Sequence, residues 1–124
     1  MKELLLIALG GASGALCRYG LVNFVKFGSN GHFPYGTLIV NLIGSFFIGV
    51  MYVLITERLA LHPDWRHILV VGFLGAFTTF STFSLEAVTL LESGHIATAA
   101  VYVLSSLFIC IFAAWVAIVI TRLI

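Results

Sequence analysis

Apolar residues run along this chain in four long blocks separated by short polar stretches. The blocks extend from Leu4 to Val25, Thr37 to Thr56, Ile68 to Leu91 and Ile96 to Thr121. A helix needs about 20 mostly apolar residues to cross the hydrocarbon of a bilayer, and each block meets that length. Strands are excluded at this hydrophobicity, because backbone groups inside lipid must bond within their own segment. The connectors carry turn residues: Gly28, Ser29, Asn30, Gly31 and Pro34, then Leu61 to Asp64, then Glu92 to His95. The pattern predicts an all-α membrane protein, one domain over residues 1–124 with four transmembrane helices. It leaves no room for a soluble domain or a linker.

Composition sharpens this picture. The chain is 61% hydrophobic and 9% charged, against roughly 25% charged in ordinary globular proteins. The bilayer is therefore its solvent. Net charge is +1 and no basic stripe exists, which argues against a nucleic-acid partner. Cys17 and Cys110 lie in apolar stretches and fit neither a metal spacing nor a disulfide framework. Lys2 followed by Leu4 to Leu9 has the look of a signal peptide. The apolar run continues to Cys17, however, so an uncleaved first helix is expected. Four spans put both termini on one side, with Lys2, Arg58, Arg66 and Arg122. Lys26, and Arg18 if it reaches outward, lie on the other. The positive-inside rule then favours cytoplasmic termini.

Polar residues inside a span are costly and must face protein or water. Four helices alone enclose little interior, so self-association is expected. Small residues four apart support close helix contact: Gly10 with Gly14, Gly11 with Ala15, Ser45 with Gly49, Gly72 with Ala76. On the first helix, Arg18 can draw an anion into a vestibule or simply snorkel to the headgroups. On the second, Thr37, Asn41 and Ser45 share a face. The Asn41 amide can donate to a bare anion or to a neighbouring helix.

The third helix is the most informative. Gly75 with Thr78 and Thr79 is poor material for a continuous helix, so a break near its middle is expected. A break frees carbonyl oxygens at the midplane, and a hard cation such as Na⁺ suits them. The other reading is an intact helix whose hydroxyls bond to the preceding turn. Beyond this point Phe80 and Phe83 stand three apart, with Ser81 and Ser84 beside them. A phenyl ring has a positive edge, which can support an anion without a formal charge. Weak sites of that kind also permit release. Packing is the competing explanation for two phenylalanines. On the fourth helix Tyr102, Ser106 and Cys110 fall on one stripe. Glu86 fits either a protonated, hydrogen-bonded group or a gate at a pore mouth.

Three segments carry a resemblance. They are Gly10-Gly11-Ala12-Ser13-Gly14-Ala15-Leu16-Cys17-Arg18-Tyr19, then Gly36-Thr37-Leu38-Ile39-Val40-Asn41-Leu42-Ile43-Gly44-Ser45-Phe46, then Gly72 through Phe83. In order, length and span count the chain resembles the CrcB or Fluc family of fluoride channels over essentially its whole extent. The resemblance implies an antiparallel, dual-topology homodimer in the bacterial inner membrane, with two pores and passive fluoride export. It implies Asn41 as a pore-lining donor, with Phe80 and Phe83 as anion-facing aromatics. It also implies a structural Na⁺ on the two-fold axis, held by carbonyls of Gly75 and Thr78 from both chains. Tyr102 and Ser106 fall on the family's polar track, and Cys110 stands where a hydroxyl is expected. The candidate pore and anion-binding set is Arg18, Asn41, Phe80, Ser81, Thr82, Phe83, Ser84, Glu86, Tyr102 and Ser106. Gly75 and Thr78 are the metal-binding pair, and no residue is assigned a catalytic role.

Two other functions compete. A small proton-coupled multidrug-type exporter also uses four short helices in a dual-topology dimer. It needs an intramembrane carboxylate in helix one, where this chain has Arg18; Glu86 is its only deep acid. A membrane assembly subunit would need no pore at all. An enzyme is disfavoured, because no metal motif and no Ser/His/acid set can be placed.

Overall fold

A computed structural model describes all residues 1–124 and is helical almost throughout. We label the helices α1 (Lys2–Gly28), α2 (Tyr35–Glu57), α3 (residues 63–77), α4 (Phe80–Glu92) and α5 (Ile96–Leu123). Together α3 and α4 make the third span, Pro63–Glu92, so four helical spans are long and apolar enough to cross a membrane. Each span reaches its predicted limits or runs a few residues past them. The apolar blocks mark only the hydrocarbon-spanning part, and the helices run on into their polar flanks.

Helix α1 lies directly on α3, and glycines make this possible. A Cβ at Gly10 would stand 2.1 Å from the Ile68 carbonyl oxygen, and one at Gly14 would stand 2.2 Å from that of Phe73. From the other side, a Cβ at Gly72 would meet the Ile7 carbonyl oxygen at 2.7 Å. Backbone therefore rests on backbone, the close approach that small residues allow in membranes. Helix α2 packs along α5 by the same device at Gly49, where a Cβ would be 2.5 Å from the Ala114 carbonyl oxygen. Much of the small-residue pattern is thus used within one chain.

Residues Arg66–Leu74 of α3 are wound as a wide π-helix. The N–H of Gly75 accordingly reaches back five residues to the Val70 carbonyl. The last turn of α2, Val53–Glu57, is also π-wound, and Arg58 N–H bonds the Val53 carbonyl at 3.0 Å. Such windings are rare and usually short. Nothing in the residue pattern predicts them.

Polar contacts tie the ends of the spans together. Lys2 pairs with Asp64. Arg122 forms a forked pair with Glu57, Nε donating to Oε2 at 2.9 Å. Arg58 donates to the Thr121 and Arg122 carbonyls at 2.7 and 3.1 Å. These contacts fix the start of α1, the end of α2, the start of α3 and the end of α5 on one side, as the four-span order predicts. Only 21 of 124 residues are buried. Large apolar side chains such as Leu9, Phe24, Phe108 and Phe112 point outward instead. A surface of that kind suits lipid or another apolar partner.

Candidate functional site at a broken membrane helix

The third span is broken at Thr78 and Thr79. Thr78 has φ −85°, ψ 158° and Thr79 has φ −152°, ψ 117°, both extended. Gly75, which raised the expectation of a break, stays helical at φ −61°, ψ −37°. The break therefore falls three residues later, at two adjacent β-branched residues that favour extended backbone.

Asn41 holds the broken chain. Its Oδ1 accepts the Thr79 N–H at 2.8 Å, and its Nδ2 donates to the Thr79 carbonyl at 3.0 Å. Both backbone groups that left the helix thus find one side-chain amide. Only one orientation of the amide satisfies both bonds. Thr79 then starts α4: its Oγ1 accepts the Thr82 N–H at 3.1 Å, a conventional N-cap. Thr78 Oγ1 donates to the Leu74 carbonyl at 3.0 Å. One turn beyond Asn41, Gly44 makes room for the Thr78 methyl, which a Cβ there would meet at 2.1 Å.

Two carbonyls lose their partners. In a continuous helix Thr79 N–H would bond the Gly75 carbonyl and Thr82 N–H the Thr78 carbonyl. Both donors are diverted, to Asn41 and to the Thr79 hydroxyl. No side chain, cap or turn N–H donates to either oxygen.

Both carbonyl-bearing residues line a cleft of about 360 Å³ between α2, α3, α4 and α5. Asn41, Gly44 and Ser45 form its α2 wall, Phe80 and Phe83 its α4 wall, and Ser106 and Cys110 its α5 wall. Ser106 is 7% exposed and its hydroxyl has no partner within the chain. The two phenylalanines differ sharply. Phe80 is 75% exposed, whereas Phe83 is 8% exposed and packs on Tyr102 at 5.1 Å between ring centroids. Their own centroids are 5.4 Å apart.

A second polar group adjoins the cleft toward the His95 end. Glu86 Oε1 accepts from Thr37 at 2.6 Å and Oε2 from Tyr102 at 3.3 Å. Tyr102 is fully buried, with Phe33 set edge-on to it at 5.5 Å.

Of the residues singled out in the sequence, the cleft gathers Asn41, Gly75, Thr78, Phe80, Phe83 and Ser106. Glu86 and Tyr102 sit together beside it. Ser81 Oγ lies 3.4 Å from Thr79 Oγ1. Ser84 bonds back to the Phe80 carbonyl at 2.9 Å, the local alternative for a helical serine. The Thr82 side chain is exposed and makes no hydrogen bond of its own. Arg18 stands apart on α1, half-exposed and outside the cleft, with no ion pair. Sequence reading missed Thr79 and Gly44 as parts of the site. Thr79 had a signal, a hydroxyl residue immediately before an amphipathic helical run. Gly44 had only its place three residues after Asn41.

A protein-family model described as "CrcB-like protein, Camphor Resistance (CrcB)" matches residues 5–118. The chain is 48% identical over 124 residues to a protein of Hahella chejuensis named fluoride-specific ion channel FluC, covering all of this chain and 98% of that one. It is 51% identical over 118 residues to a protein of the same name from Saccharophagus degradans, covering 95% of this chain and 88% of the relative. A like-named protein of Magnetococcus marinus is 48% identical over 118 residues. The matched segment takes in the second and third spans whole, most of the first and fourth, and every residue of the cleft.

Proposed function

We propose that this chain, which belongs to the CrcB family and is a multi-pass membrane protein, is a fluoride-specific channel that lets the ion leave passively. Full-length likeness to channels named for fluoride supports the ion. The observation that carries the mechanism is the break at Thr78–Thr79, pinned by Asn41 and facing the cleft. Such irregular backbone at membrane depth is tolerated where it is buried in protein or lines a cavity.

The anion would meet neutral groups. Asn41 spends its oxygen and one amide hydrogen on Thr79, which leaves one hydrogen for a passing ion. Ser106 adds a free hydroxyl, and Phe80 and Phe83 add ring edges. Neutral donors bind a small anion weakly enough to release it, as conduction requires. Tyr102 and Glu86 lie where the route would leave the cleft, with Ser81, Thr82 and Ser84 on the neighbouring turn of α4. Arg18 would act on the approaching anion from a vestibule.

The working unit is an antiparallel, dual-topology homodimer with two pores. The outward apolar surface and the half-open cleft support a second copy. Gly75 and Thr78 carbonyls from both chains would hold a structural Na⁺ on the two-fold axis. Their lack of any protein donor fits that role, since hard cations take oxygen ligands. The ion would supply fixed positive charge beside the break.

Purified protein in liposomes, loaded with fluoride or chloride and given no proton gradient, tests the reading. Rapid fluoride loss with chloride retained is expected. Fluoride loss only under an imposed proton gradient would sink the passive channel. Tagging of the C-terminus should label two populations, one on each side of the membrane. A single population would remove the dual topology.

A further inference from the structure

At the membrane end opposite the termini, two histidines from different turns meet. His32 lies between α1 and α2, and His95 precedes α5; their ring centroids are 4.1 Å apart. Neither takes part in the cleft. Gly94, at φ +84°, turns the chain so that His95 folds back over Ser93. His32 is exposed and His95 half-buried, beside an open hollow of about 470 Å³ that also bears Ser29 and Asn30.

Ser93 engages Nδ1 of His95 and leaves Nε2 without a partner in the chain. Ser93 Oγ donates to the Thr89 carbonyl at 2.8 Å. It also lies 3.2 Å from the Leu90 carbonyl, and with its hydrogen on either carbonyl it accepts from His95 Nδ1 at 3.0 Å. Nδ1 then carries the proton and Nε2 presents a lone pair. Holding one ring nitrogen by a fixed acceptor is how proteins orient a histidine that ligates metal through the other. Around a tetrahedral metal with bonds of about 2.0–2.1 Å, two imidazole centroids stand about 5 Å apart. The observed pair, with ring planes tilted by 34°, needs to open by roughly 1 Å and His32 needs to turn a nitrogen toward the shared point; His32 is exposed, so no packed neighbour opposes that turn. No third His, Cys, Asp or Glu joins them, so water completes the shell.

We propose that His32 and His95 form a binding site for a divalent transition metal of the Zn²⁺ class, for which imidazole is a fitting ligand. The bound metal clamps the α1–α2 loop to the start of α5. Phe33 follows His32 and rests on Tyr102, whose hydroxyl reaches Glu86. Closing the clamp therefore fastens Phe33 over the Tyr102–Glu86 end of the cleft. This second part rests on the channel reading; the binding does not.

The test titrates Zn²⁺ into tag-free, full-length protein in detergent, followed by calorimetry. One saturable Zn²⁺ per chain is expected. His32→Ala and His95→Ala should each weaken binding about tenfold or more, and Ser93→Ala about tenfold, the usual loss when a ligand's supporting partner is removed. His62→Ala, at the other membrane end, should bind as the parent does. Unchanged thermal melting without metal shows that the variants are folded. No saturable binding, or equal binding by the His32→Ala/His95→Ala double variant, overturns the site. Undiminished binding by Ser93→Ala removes the role given to Ser93. In liposomes Zn²⁺ should slow fluoride loss several-fold for the parent and leave His32→Ala unaffected. Binding without slowing overturns the clamp. Absence of fluoride loss even without Zn²⁺ defeats the channel reading instead, while the titration still judges the site.

Discussion

The contact of α1 with α3 and the cleft between α2, α3, α4 and α5 solve the same problem in opposite ways. Both bring helices together inside the bilayer. The first removes side chains altogether, so Gly10, Gly14 and Gly72 let carbonyls lie against Cα atoms. The second keeps polar side chains and pairs some of them, Asn41 with Thr79 in the cleft and Thr37 with Glu86 beside it. The glycine contact leaves nothing free to meet a solute. The cleft leaves Ser106, one Asn41 hydrogen and two carbonyls unspent. Rigidity is concentrated on one side of the bundle and chemistry on the other.

Enlarging a glycine should break the first region most severely. Gly14→Val drives a side chain into the Phe73 backbone, which cannot yield as a flexible side chain would. A loss of more than about 3 kcal/mol is expected, above the usual range for overpacking, seen as absence of folded protein on size exclusion. Gly11→Ala, with nothing nearer than 4.0 Å, should fold normally. Equal behaviour of the two would mean that α1 does not sit on α3 in this register.

In the second region Asn41→Ala should have the largest effect. It strands the Thr79 N–H and carbonyl together, at about 1–3 kcal/mol for each unsatisfied group. Melting should fall and fluoride flux should vanish. Asn41→Asp keeps an acceptor for the Thr79 N–H but faces its carbonyl with a second acceptor, so it should rescue melting only in part. A full rescue would contradict the two-point pairing.

The phenylalanines divide the comparison more finely. Phe80→Ile should reduce flux with melting nearly unchanged, because the ring is 75% exposed within the chain. Phe83→Ile should reduce both, since it also empties space against Tyr102; about 1–3 kcal/mol is a reasonable loss for a large-to-smaller change in a packed site. Normal flux in both variants would remove the ring-edge mechanism and leave Asn41 as the principal anion ligand. Cys110→Ser should have the smallest effect. It puts a stronger donor on the α5 wall at nearly constant volume, and a flux gain of about twofold with a stability change under about 1 kcal/mol is expected. A large loss of flux would show that the thiol itself is required.

The four spans were legible because hydrocarbon thickness imposes a length that no other environment demands. The break was legible in kind, from Gly75, Thr78 and Thr79, but its place was not. Gly75 stays helical although a Cβ there would meet only the Val70 carbonyl oxygen at 3.6 Å, and the extended residues are the threonines, one of which Asn41 holds. That partner lies 38 positions away, beyond the reach of local periodicity. The same limit hid the difference between Phe80 and Phe83. Spacing puts both near one face, but only packing by Tyr102 decides which is covered. The π-winding of Arg66–Leu74 has no residue signature. The family resemblance named fluoride, and hydrophobic pattern alone would not have done so.

The bond between Asn41 and Thr79 joins two amides. Neither accepts or loses a proton in the range where proteins survive, and neither bears a charge for salt to screen. Acid, alkali and ionic strength therefore have no direct handle on this bond. The pin that holds the broken helix is thus indifferent to proton and salt concentration, and a change in either would have to act on other groups of the site.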